Sequence, residues 1–178
     1  MKTVQVRDKM FRVSIPEAEI KERVAEMAAE ISRELKGKKP IFLAVLNGSF
    51  IFAADLIRGF DSECEVEFIK FSSYEGTDTT GEVKELIGLN KSIEGRTVVI
   101  VEDIVDTGLT MKALLEMLKD KNPKEIRIAA LLMKPEKLSV PLTIDYCGFR
   151  IPNDFILGYG LDYDGEARNL REIYTLVK

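Results

Sequence analysis

Apolar residues along the chain change period repeatedly, and the changes predict alternating helices and strands. Ile20, Val24, Met27, Ile31 and Leu35 recur at the spacing that lines one face of a helix. Ahead of them Ser14-Ile15-Pro16-Glu17 matches a capping box with proline in the first turn, and Gly37 stops the run. Ile41 to Leu46 reads as an apolar strand ending in Asn47-Gly48-Ser49, and Phe50 to Gly59 as a short buried helix. Glu63 to Phe71 alternates in part and predicts a second strand. Ser72 to Glu82 is a polar run rich in Ser, Thr and Gly, after which Val83 to Leu89 resumes a strand pattern. The run is therefore expected to be a long hairpin loop.

Val98 to Val101 are four β-branched residues in a row, as in a strand buried on both faces. The next helix carries Met111, Leu114, Leu115 and Leu118 as its apolar stripe. Lys119, Lys121, Asn122 and Pro123 end it with cations that suit the helix dipole and with a breaker. Ile126 to Met133 is another apolar strand. Beyond Lys134 the alternation lapses: Thr143 to Phe149 and Asp154 to Tyr159 read as short strands with no helix between them. Strand-helix alternation through the middle predicts an α/β fold, a mostly parallel twisted sheet flanked by helices on both faces. The C-terminal stretch is expected to form an irregular cap over the sheet's edge.

Composition narrows the possibilities. The 178 residues suit one domain, with 46% hydrophobic and 31% charged positions. A net charge of -4 disfavours nucleic acid and acidic membrane surfaces as partners. Met1 to Phe11 is polar and charged with no apolar signal core, and no segment is apolar enough to span a membrane. Cys64 and Cys147 make no disulfide framework and read as core residues of a reducing, cytoplasmic compartment. There is no histidine, which excludes a Ser-His-Asp triad and His-ligated zinc. Proton transfer must fall to carboxylates, lysines or tyrosines.

The chemistry concentrates in Val98 to Thr110, V-V-I-V-E-D-I-V-D-T-G-L-T. Glu102, Asp103 and Asp106 stand where the strand ends, before a Thr-Gly turn and a helix N-terminus. Adjacent carboxylates can accept hydrogen bonds from a vicinal diol such as that of ribose. Neighbouring strand residues point to opposite faces, so Glu102 and Asp103 share one ligand only if the chain bends there. Asp106-Thr107-Gly108-Leu109-Thr110 offers backbone amides, two hydroxyls and a glycine around a phosphate. Each of these types also serves as an ordinary helix cap. Asp106-Thr107-Gly108 matches the aspartic-protease tripeptide too, but such enzymes need two facing loops, and this chain has one, followed by a helix.

The thirteen-residue stretch resembles the phosphoribosyl pyrophosphate signature of type I phosphoribosyltransferases. Leu46-Asn47-Gly48-Ser49 resembles that family's pyrophosphate loop, and Ser72-Ser73-Tyr74 its mobile flap. Lys134, Gly148-Phe149-Arg150-Ile151-Pro152 and Phe155 through Tyr163 resemble the purine-binding hood of the hypoxanthine-guanine branch. The similarity runs from about Ser14 to the C-terminus, with the motifs in the same order. One departure is Asn47, where the family usually has lysine or arginine. Loss of that cation is expected to weaken pyrophosphate binding or to alter a subunit contact.

The resemblance implies the type I phosphoribosyltransferase fold in one domain, residues 1–178. Its core would span about 14–133, and a hood about 134–178 together with the N-terminal segment. It implies transfer of a 5-phosphoribosyl group to N9 of a 6-oxopurine, with magnesium as cofactor and a homodimer or homotetramer as the assembly. Glu102 and Asp103 would hold the ribose diol, and Thr107, Gly108, Leu109 and Thr110 the 5′-phosphate. Asn47, Gly48 and Arg168 would hold pyrophosphate. Asp106 would be the proton partner of purine N7. Lys134, Phe155, Ile156 and Asp162 would bind the base, and Asp162, with Glu102 and Asp103, would face the metal. Ser73 and Tyr74 would close over the site. A family cis peptide would fall at Leu46-Asn47. A phosphoribosyl pyrophosphate-sensing regulator of the same fold, or an enzyme preferring xanthine, orotate or adenine, are the competing readings. Lys134 argues against adenine, whose 6-amino group would meet a donor.

Overall fold

The computed structural model describes residues 2–72 and 84–177. In chain order the elements are β1 (Thr3–Val6), β2 (Lys9–Ile15), α1 (Glu17–Leu35), β3 (Ile41–Leu46), α2 (Phe50–Arg58), β4 (Glu65–Ser72) and β5 (Lys84–Ile87). There follow β6 (Thr97–Val105), α3 (Leu109–Lys119), β7 (Glu125–Met133), a 3-10 turn at Pro135–Lys137, β8 (Tyr146–Arg150), β9 (Ile156–Leu157) and β10 (Ile173–Leu176). The main sheet runs β5-β4-β3-β6-β7-β8. β5 is antiparallel to β4, as a hairpin connection requires, and the other neighbours are parallel.

The central strands are apolar on both faces because both faces are covered. Phe42, Ala44, Val99, Val101 and Leu131 pack under α1 and α2, whereas Leu43, Val45, Val98, Ile100 and Ile128 pack under α3. This is the period-two alternation of a strand, with apolar side chains in both directions.

The structure departs from the expected elements in three places. Ser14 is not a helix cap. It lies in β2 and its hydroxyl donates to the Ile173 carbonyl at 3.1 Å, while Pro16 precedes α1 with no side-chain cap. Tertiary pairing with β10 has claimed the hydroxyl. The residues after Lys134 do not merely cap the sheet irregularly: β8 joins it as a parallel edge strand beside β7. No α-helix is needed for that crossover. Its extended segment covers α3 instead, with Leu138, Leu142 and Ile144 packed into the α3-side core. Finally, the polar-looking N-terminus forms two strands. Phe11, Val13 and Ile15 alternate with polar residues, a half-buried strand pattern.

β1 and β2 pair with β10 and β9 in a small antiparallel sheet, ordered β1-β2-β10-β9. Val6, Phe11, Leu157 and Tyr174 form its buried core. Ile15, Ile156 and Ile173 bury their other side in the main core, so the small sheet is seated on the large one. No helix among the described residues is long and apolar enough to cross a membrane.

Phe42 is fully buried and meets Phe60 edge-on at 5.2 Å between centroids. Phe42→Ala is expected to destabilise the fold by about 3–5 kcal/mol, read as a lower urea midpoint with an unchanged slope.

Candidate active site

Sheet topology locates the site. From β3 the chain passes through α2 to β4 on one side, yet β6 lies on β3's other side. In parallel sheets, the crevice at the carboxyl ends of strands flanking such a reversal is where ligands bind. Two loops meet there: Asn47-Gly48-Ser49 after β3, and Glu102 to Gly108 running from β6 into α3.

The loop after β3 opens with a cis Leu46–Asn47 peptide. Ser49 is buried and donates to the Val45 carbonyl at 2.6 Å, closing the turn, while Asn47 is exposed. A side chain at Gly48 would force Asp103 to move. A Cβ on Gly48 would fall 1.6 Å from Asp103 Oδ2, and one on Gly160 would fall 2.1 Å from the Gly48 carbonyl oxygen. The backbone at Gly48 is thus pressed between β6 and the C-terminal loop.

β6 does not bend at the acid pair but stays in register with β7 through Val105. Instead each carboxylate folds forward along the strand. Asp103 N–H donates to Glu102 Oε1 at 3.2 Å, and Ile104 N–H to Asp103 Oδ1 at 2.8 Å. Glu102 lines a cavity of about 100 Å³ with Asp106, Thr107, Gly108 and Thr110. Burial, reinforced by the Asp103 charge, pushes the Glu102 carboxyl well above the usual range. Burial also raises Asp103, against the pull of backbone amides and the Arg168 charge.

The turn into α3 is suited to an anion. Gly108, at φ 83°, precedes the first helical residue and no side chain at that position caps the helix. The first-turn amides of a helix have no acceptor within it, and its dipole favours negative charge there. Thr107 is fixed because its carbonyl accepts from Ser139 N–H at 2.9 Å, while Leu109 and Thr110 face solvent.

Asp106 lies beside two cations: its Oδ2 is 3.2 Å from Lys137 Nζ and 3.6 Å from Lys134 Nζ. Its Oδ1 is buried and has no hydrogen-bond partner, leaving an acceptor for a bound donor. Lys134 is itself buried at the end of β7, where its backbone N–H donates to the Val105 carbonyl at 3.0 Å.

Phe155 remains 43% exposed although its ring is braced by Phe11 at 5.9 Å and by Tyr163, edge-on, at 5.5 Å. An aromatic face held rigid yet left open is a stacking platform. Next to it, Ile156 is buried in β9. Asp162 accepts from Gly165 N–H at 2.7 Å and pairs with Arg168 at 3.0 Å. Arg168 also donates to the Gly160 carbonyl at 2.8 Å.

The fold therefore gathers Glu102, Asp103, Asp106, Thr107, Gly108, Gly48, Lys134 and Arg168 around one crevice, while Ser73 and Tyr74 lie outside the described residues. Sequence reasoning missed Lys137 and Phe11, and placed Tyr163 in the hood motif without a role of its own. Lys137 was detectable only as a second cation one short turn after Lys134-Pro135. Phe11 was detectable from its alternation with Val13 and Ile15.

The family model of the phosphoribosyl transferase domain matches residues 16–164. The chain belongs to the phosphoribosyl transferase family. It is 41% identical over 174 residues to the hypoxanthine-guanine phosphoribosyltransferase of Aquifex aeolicus, covering 97% of this chain and 98% of that one. The Bacillus subtilis protein of the same name is 41% identical over 93% of this chain and 92% of its own length. The bifunctional TilS/HprT protein of Listeria innocua matches at 41% identity over 93% of this chain, which spans only 26% of that longer protein. Among solved structures, a hypoxanthine-guanine phosphoribosyltransferase from Bacillus anthracis superposes with a TM-score of 0.89 at 43% identity. That likeness covers 93% of this chain and 98% of the other.

The raised carboxyls set a stability profile. Acids that bind protons more tightly when folded stabilise the protein fully below the ordinary carboxylate range. That contribution is lost as pH rises from about 4 through the raised titrations. Glu102→Gln is expected to flatten this decline and, at neutral pH, to unfold at a higher urea concentration than wild type. Urea midpoints across a pH series check it.

Proposed function

We propose that the chain is a purine-salvage enzyme. It transfers the 5-phosphoribosyl group of phosphoribosyl pyrophosphate to N9 of hypoxanthine, and of guanine, yielding IMP or GMP and pyrophosphate. The observation that carries this reading is Asp106: an unpartnered buried carboxylate oxygen set between a phosphate-suited turn and the buried Lys134.

Phosphate at the start of α3 anchors the sugar. Glu102 and Asp103 accept the ribose hydroxyls, which add donors to the backbone N–H that each carboxyl already accepts from. Pyrophosphate lies along the Asn47-Gly48 backbone within reach of Arg168, whose cation stabilises charge growing on the leaving group. The purine stacks on Phe155, Lys134 donates to its 6-oxo oxygen, and Asp106 holds the N7 proton, no histidine being available. Ser73 and Tyr74 close over the reacting carbon and exclude water. The hood, residues 134–178 with the N-terminal segment, presents the base to the core, residues 14–133.

The donors present suit magnesium. Glu102, Asp103 and Asp162 are hard oxygen ligands, the type magnesium takes alongside water and substrate oxygens. Asp162 would hold it directly or through water, with Glu102 and Asp103 nearby. Bound there, it would neutralise charge on the pyrophosphate. The enzyme works in the cytoplasm as a homodimer or homotetramer.

With magnesium and phosphoribosyl pyrophosphate, hypoxanthine and guanine are each expected to give nucleotide. Absence of product from both would sink the proposal and favour a regulator, while product from xanthine alone would reassign the base. Asp106→Asn is expected to lower turnover about a hundredfold or more with little change in phosphoribosyl pyrophosphate affinity, measured by single-turnover kinetics and calorimetry.

A further inference from the structure

The C-terminal loop that carries Asp162 and Arg168 is docked at two points. At the first, Gly160 lies so close to the Gly48 carbonyl that a Cβ on Gly160 would fall 2.1 Å from that oxygen. The second is one residue earlier: Tyr159, buried, donates its hydroxyl to Asp55 Oδ2 at 2.6 Å. Asp55 belongs to α2, the helix that begins immediately after the Gly48 loop. Tyr159 adopts φ 49° between Gly158 at 95° and Gly160 at 103°. A tyrosine is seldom found there, and its surroundings must hold it. Its N–H donates to the Leu170 carbonyl at 2.8 Å, and its ring packs into the main core. Burial and the neighbouring carboxylate push the phenol's titration upward, so the hydroxyl remains a donor.

On the reading of the crevice given above, we infer that Tyr159 and Asp55 are a positioning pair for the pyrophosphate end of the site. The hydrogen bond ties the loop bearing Arg168 to the helix that follows the Gly48 turn. It thereby fixes how far the guanidinium stands from the backbone that faces it. Neither side chain touches substrate. The purine end is braced separately, by Phe11 and Tyr163 against Phe155. A loosened Tyr159–Asp55 contact should therefore act more strongly on the pyrophosphate end, where Arg168 stands, than on the base, which shares only Asp162 with this loop.

The test uses the full chain with magnesium. Tyr159→Phe keeps the ring in its packing and removes only the hydroxyl. It is expected to raise KM for phosphoribosyl pyrophosphate, and the calorimetric Kd for pyrophosphate, by about tenfold. KM for hypoxanthine should stay within about twofold, because Lys134 and Phe155 are held elsewhere and only Asp162 lies on this loop. Asp55→Ala reads the same contact from the less buried side, and the two losses should not add in the double variant. Asp55→Asn, which can still accept the hydroxyl, should recover most of the affinity. Wild-type affinities in both Tyr159→Phe and Asp55→Ala, or equal losses at both substrates, would overturn the inference. If the wild-type protein forms no nucleotide, the reading of the site falls and takes this inference with it. Normal wild-type turnover beside an unaffected Tyr159→Phe overturns the inference alone.

Discussion

Two adjacent carboxyl groups at the end of a central strand, Glu102 buried and Asp103 half-buried, are the constraint around which this protein is arranged. Glu102 and Asp103 are withdrawn from water, and burial disfavours the charge of each. Local hydrogen bonds from Asp103 N–H and Ile104 N–H offset only part of that penalty. Hydroxyl donors or a cation brought to this place would relieve that penalty. Three residues later Asp106 Oδ1 is buried without a hydrogen-bond partner.

Such a site requires a rigid frame. The parallel core covers both faces of β3 and β6 with apolar side chains, so the strand ends that carry the loops are held by packing throughout. Close approach is bought with glycine, since the Gly48 backbone lies where any side chain would displace Asp103. The small sheet adds the second half. The N-terminal hairpin reaches across to β10, and its Phe11 supports the open face of Phe155. Residues from near the two ends of the chain therefore pack together in the small sheet.

Much of the frame was legible because apolar periodicity reports burial directly. Strands β3, β6 and β7 and helices α1 and α3 follow from residues such as Val98 to Val101 or Met111, Leu114 and Leu118. The misread parts are those where a neighbour distant in sequence decides. Ser14 has the chemistry of a helix cap, but Ile173 takes its hydroxyl. β8 looks like an isolated short strand until β7 supplies its partner. Cap and strand residues carry the same local signal in both outcomes, so local reasoning could not separate them.

The acids, the Thr-Gly turn, the lysine after β7 and the absence of histidine were all set by the chain alone, since residue identity determines which protons, charges and hydrogen bonds are on offer. Their meeting was decided by tertiary structure. Gly48 touches Asp103 and Gly160 because the strand order reverses between β3 and β6. Lys137 joins Lys134 at Asp106 because a 3-10 turn folds it back. Tyr159 reaches Asp55, 104 positions earlier, because the small sheet seats the C-terminal loop on α2. Proximity across such separations comes from packing the whole core, and no local pattern encodes it.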